Sequence, residues 1–126
     1  MDYHQQKSKK GVKMSKSMVV LFTRNGMGEG PAELQQNLAE KYLTLTLESN
    51  DLPERIVFYT EGVNLVCEGS RVLPQLKEFE SRGVDLLICK TCTDTFGVTD
   101  KVRVGIIGGM PDILETLQKA EKVVSL

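Results

Sequence analysis

Cys89-Lys90-Thr91-Cys92 is the segment of this 126-residue sequence with the plainest chemical potential. The two thiols stand where an apolar run ends and a short helical segment begins. Backbone N–H groups and the positive end of a helix dipole stabilise a thiolate at such a junction. A thiolate is the nucleophile of thiol chemistry. One cysteine can accept and release a persulfide, and a second can resolve it as a disulfide. Lys90 adds a positive charge close by. The spacing is also half of a zinc ribbon, but Cys67 is the only other cysteine, and His4 is the sole histidine. We therefore expect Cys89 and Cys92 to be the reactive residues, with no metal and no cofactor, and Cys67 to be filler of the core or a loop. Two packed cysteines without chemistry are the bland alternative.

The absence of histidine beyond residue 4 removes Ser-His and Cys-His catalytic pairs and His-containing zinc sites. The glycine-rich stretch Arg24-Asn25-Gly26-Met27-Gly28-Glu29-Gly30 matches neither the dinucleotide nor the P-loop fingerprint. It could hold an anion at a helix start, and a plain tight turn is the simpler reading. Phe58, Tyr59 and Phe96 are few aromatics for flanking a flavin ring. Glu61 and Glu68 resemble solvated charges more than a paired-carboxylate site.

The elements that must carry the cysteine pair are legible from periodicity. Met18–Thr23, Ile56–Thr60, Val84–Cys89 and Val102–Ile107 are continuous apolar, β-branched runs of the kind buried on both faces of a parallel sheet. Residues 122–126 complete a fifth strand. Between them, Leu34, Leu38, Tyr42 and Leu45 predict an amphipathic helix over residues 31–48 with those side chains inward. A second helix follows Ser70, carries Val72, Leu73, Leu76 and Phe79 inward and stops at Gly83. A short helix lies between Thr91 and Gly97. A last one runs from Met110 to Ala120 with Ile113, Leu114 and Leu117 facing the core. Strands alternating with helices imply a three-layer α/β/α sandwich around a mainly parallel five-stranded sheet of the flavodoxin-like kind. In such sheets ligands and reactive groups gather beyond the carboxyl ends of the strands. The Arg24–Gly30 loop, the Tyr59–Gly62 turn, the cysteine pair and the Gly108–Gly109 turn all fall there.

Composition bounds the remaining possibilities. Apolar residues make up 40% of the chain, enough for a core without staples, and only 6% are aromatic, with no Trp. That argues against a stacking platform for nucleic acid or sugar. Sixteen basic and 17 acidic residues leave a net charge of −1, so no global field attracts nucleic acid or membrane. No apolar run approaches the ~20 residues needed to span a bilayer. The charge is nevertheless divided. Residues 1–17 hold five Lys and one acid, and the remainder carries 11 basic and 16 acidic residues. We expect a basic, disordered tail over 1–17 ahead of one acidic domain over 18–126, and a cytoplasmic location, since nothing at the start reads as a signal.

Tyr59-Thr60-Glu61-Gly62-Val63, Gly83–Cys89 running into a helix, and Gly108-Gly109-Met110 together resemble the DsrE/DsrF family, which includes TusD-type sulfur-relay subunits. The resemblance covers residues 18–126. It is greatest to the DsrE-like domain of the YedF-type, sulfurtransferase-like proteins associated with selenium metabolism, where the third strand also ends in Cys-x-x-Cys. It implies a sulfur (or selenium) carrier with a persulfide on Cys89 and Cys92 as an assisting or resolving thiol. It also implies a homotrimer or homohexamer and a TusA-like donor or acceptor protein. YedF-type chains commonly carry their own TusA-like domain, whereas this chain opens with a short Lys-rich segment, so that partner is expected on a separate protein. A thiol-disulfide redox protein using Cys89 and Cys92, and a non-catalytic assembly subunit, are the competing readings.

Overall fold

A computed structural model of the chain describes residues 13–14 and 17–126. Its centre is a five-stranded sheet made of β1 (Met18–Phe22), β2 (Arg55–Phe58), β3 (Asp85–Cys89), β4 (Ile106–Gly108) and β5 (Lys122–Ser125). The strands lie in the order β4-β3-β2-β1-β5, and every pairing is parallel. Four helices connect them: α1 (Ala32–Ser49), α2 (Leu73–Ser81), α3 (Lys90–Phe96) and α4 (Met110–Lys119). The α/β architecture with an all-parallel sheet is the one expected from the alternation of elements. Most of the expected tail lies outside the described residues. Lys13–Met14, within it, pairs in parallel with Asp51–Leu52.

Side chains alternate across the strands, which sorts the core into two clusters. Val20 and Phe22 of β1, Ile56 and Phe58 of β2, and Leu86 and Ile88 of β3 pack with Ala39, Leu43, Leu76 and Phe79 of α1 and α2. Phe22 and Phe58 are register partners, and their rings stack at 5.6 Å. On the opposite face Val19, Leu21, Val57, Leu87 and Cys89 pack with Ile113 of α4. The chain steps from β1 to β4 in one direction and then returns past β1 to β5. Crossovers of one hand put α1 and α2 on the same face, and the return carries α4 to the other. Arg55 ties α4 down, reaching Thr116 Oγ1 at 2.5 Å and Asp85 at 3.3 Å.

Expectations for α1, α4 and β4 need correction. Leu34, Leu38 and Leu45 of α1 are exposed, and the helix turns Ala39 and Leu43 inward instead. The sequence carries two apolar stripes along this helix, and the one with the smaller side chain seats the backbone against the sheet. Leu114 of α4 is likewise exposed, while Ile113 is fully buried. β4 is shorter than the Val102–Ile107 run. Val102 bridges Cys67 and Arg103 N donates to Val66 O, so the chain first follows the β2–α2 connection. It turns at Gly105, where a Cβ would run into Leu86 and Ile88 and where φ is +82°. Only glycine fits there.

Candidate functional site

β3 ends at Cys89, which stands as the residue before α3 with an extended backbone. Its side chain points to the α4 face and is 1% exposed. Cys92 lies one turn further, half-buried, and packs against both core clusters. Both cysteines are free, and Cys92 packs against the cluster that contains Cys89. The carboxyl end of β3 thus presents an inner and an outer sulfur. α3 is held closed by Thr93, fully buried, whose Oγ1 donates to Lys90 O and accepts from Thr99 Oγ1. Gly97 ends the helix in the left-handed region.

The wall facing the outer sulfur comes from the turn after β2. Tyr59 N donates to Phe22 O, carrying the β1–β2 ladder one residue past the strand. The chain then turns into a 3₁₀ segment, Thr60–Val66. Gly62 lies against Phe22, and a Cβ on it would collide with the Phe22 carbonyl. Thr60, at the bend, has φ of +51°. That is a genuine outlier for a β-branched residue. Its backbone N–H donates to Cys92 Sγ at 3.0 Å.

Burial pushes the Cys92 thiol up, the Thr60 N–H pulls it partway back, and the Cys89 thiol adds to the rise. Lys90 does not serve them. Its ammonium reaches Asp94 Oδ2 at 2.7 Å along α3, and that contact holds the Asp94 carboxyl below its ordinary range. The arrangement offers a dithiol with one reachable member and a backbone donor aimed at it, able to hold an anionic sulfur or to close as a disulfide.

The other features noted in the sequence fall elsewhere. Cys67 is buried in the cluster on the α1–α2 face, opposite Cys89, and its thiol donates to Val63 O at 3.2 Å. Burial raises its pKa. Among the described residues no cluster of His, Cys, Asp and Glu is arranged to hold a metal. The Arg24–Gly30 loop folds onto α1, with Gln35 Nε2 donating to Gly28 O and Arg24 pairing Glu29. Glu68 pairs with Arg103 at 2.8 Å, and Glu61 is exposed. Asp112 Oδ2 accepts from Gly109 N, capping α4. Phe58 is buried in the ring stack and Phe96 is exposed. Thr60 is the residue that reading by side-chain type passes over. Its contribution is a main-chain group, and the only trace of it in the sequence is its place in the Tyr59–Gly62 turn.

Residues 16–126 match the DsrE/DsrF-like family over nearly the whole chain. The chain belongs to that family. Three solved structures align with it. The YchN protein of E. coli is 18% identical with a TM-score of 0.62, over 91% of this chain and 99% of that one. MTH1491 of Methanobacterium thermoautotrophicum, a protein of unknown function, is 18% identical with a TM-score of 0.59, over 86% and 98%. BT1422 of Bacteroides thetaiotaomicron, also of unknown function, is 18% identical with a TM-score of 0.58, over 87% and 95%. At that identity the likeness is one of fold. No curated protein matches the sequence. No helix among the described residues is long and apolar enough to cross a membrane. Sulfur relay is the activity associated with this DsrE/DsrF-like family.

Proposed function

We propose that this protein is a sulfur (or selenium) carrier that takes a sulfane sulfur from a partner's persulfide onto the Cys89–Cys92 pair and passes it to a second protein. The observation that carries this reading is the outer sulfur, Cys92, held against a main-chain donor and packed on the core cluster that contains the second thiol. Similarity to the family assigns the stored persulfide to Cys89 and names a TusA-like protein as partner. Incubation with a cysteine desulfurase and cysteine, followed by intact-mass spectrometry, tests it. A one-sulfur mass increase that vanishes in the Cys89→Ser, Cys92→Ser double variant is the expected result. No adduct on the native chain ends the carrier reading.

Two free thiols three residues apart at the start of α3 favour a second reading, a dithiol–disulfide couple. Alkylation after equilibration across cytosolic redox potentials separates the two, because a pair that never oxidises has no redox role. A reducing, cytoplasmic setting is the one in which the pair would stay available as thiols. A homotrimer or homohexamer, again by resemblance, is supported by the thinly covered α4 face. There Ile106 is 69% exposed, and Met110 and Leu114 stand beyond half exposure.

A further inference from the structure

We propose that incoming sulfur lands first on Cys92, and that the Thr60 main-chain N–H, pinned by a left-handed backbone, is the positioning group that receives it. This rests on the carrier reading above and names the order of events within it.

Access decides between the two sulfurs. Cys89 lies beneath α4 among Val19, Leu21, Val57, Leu87 and Ile113, with 1% of its surface exposed. A persulfide borne by another protein cannot approach such a sulfur in line. Cys92 is one helical turn outward and keeps part of its surface open. It also has a dedicated donor, Thr60 N at 3.0 Å, which Cys89 lacks among the hydrogen bonds of the described residues.

Geometry also explains why that donor stays in place. A threonine would ordinarily leave the left-handed region. It is held there from both sides: Tyr59 N is bonded to Phe22 O, Gly62 N to Tyr59 O, and Gly62 is pressed on the Phe22 carbonyl. Strain concentrated at one residue whose N–H meets a sulfur is consistent with preorganisation of an anion site.

The step balances without an added oxidant. The Cys92 sulfur attacks the outer sulfur of the donor persulfide, and the new Cys92 S–S bond forms as the donor's S–S bond breaks. The donor leaves as a thiolate and takes up the proton that Cys92 gives up. Cys92 then bears the persulfide, with the Thr60 N–H beside it. Attack by Cys89 on the same outer sulfur moves it inward and restores the Cys92 thiol.

Glutathione persulfide as donor, with peptide-level mass spectrometry, tests the landing site. The native chain and Cys89→Ser gain one sulfur and Cys92→Ser gains none. Gain by Cys92→Ser together with loss in Cys89→Ser overturns the proposal. No gain on the native chain removes the carrier reading itself, and the proposal with it. Native-state alkylation with iodoacetamide is independent of sulfur loading: Cys92 reacts ahead of Cys89, and the reverse order refutes the accessibility argument. The role of Thr60 is read by NMR. Its amide proton shifts on persulfide loading and on alkaline titration of Cys92, and it is still in Cys92→Ser. An amide that ignores both events excludes Thr60 as the donor.

Discussion

The backbone N–H of Thr60 lies 3.0 Å from the sulfur of Cys92, across 32 positions of sequence. The contact joins the turn after β2 to the helix after β3. It is built from neighbouring strands whose carboxyl ends sit side by side, the usual location of a reactive centre in an open α/β sheet. Everything reactive in the proposed carrier depends on that adjacency.

The ionisation of Cys92 has a definite sign. Its thiol is shifted above the ordinary value, chiefly by burial. At pH 7.5 it should therefore alkylate more slowly than a free cysteine of pKa about 8.5, and its rate should still be climbing at the pH where that of the free cysteine levels off. The same shift links to stability. The folded state holds the proton more tightly than the unfolded chain, so this contribution is complete below the unfolded pKa and is lost as pH rises through the folded one. Cys67 acts in the same direction. Urea midpoints measured from pH 7 to 10 should fall with pH.

Gly62→Ala places a methyl group on the Phe22 carbonyl. A backbone contact cannot swing aside as a side chain can, so we expect a loss of about 1–3 kcal/mol in urea unfolding. Thr60 must move with it. The pH profile of Cys92 alkylation should shift in the same variant.

Thr60→Gly relieves the strained φ while keeping the N–H. The strain is of order 1–3 kcal/mol and glycine's extra chain entropy offsets about 0.5–1 kcal/mol of it. Thermal unfolding should show an unchanged or higher midpoint, with Cys92 still loaded by sulfur. A large fall in stability would mean that the threonine side chain, and not the turn, holds this backbone.

The inner and outer stripes of α1 should separate cleanly on mutation. Leu43 is fully buried and Leu45 is 63% exposed. Leu43→Ala should cost about 2–5 kcal/mol, whereas Leu45→Lys should stay within about 0.5 kcal/mol. Chemical denaturation of the two variants checks this directly.

The exposed side chains of the α4 face give a test of assembly. Leu114→Asp removes an apolar contact at an exposed position, so the monomer fold should survive. If trimers or hexamers form through this face, sedimentation should show a smaller species for the variant than for the native chain. Equal sedimentation of the two places the interface elsewhere.

Local pattern was enough for the elements and for the cysteine pair. Uninterrupted β-branched runs such as Met18–Phe22 can be buried only inside a sheet covered on both faces, and Cys89 had to fall at the end of one. Asn50, Gly83 and Gly97 mark helix or turn ends because few residues other than glycine and asparagine enter the left-handed region cheaply. Periodicity could not choose between the two stripes of α1, because that choice rests on how closely Ala39 lets the helix approach. Nor could it say which of two thiols three residues apart faces outward, since that depends on α4 returning over Cys89 from the far end of the chain. The donor to Cys92 is a main-chain group on another strand's turn. Side-chain types carry no record of it, and only the packing of Gly62 on Phe22 brought it into place.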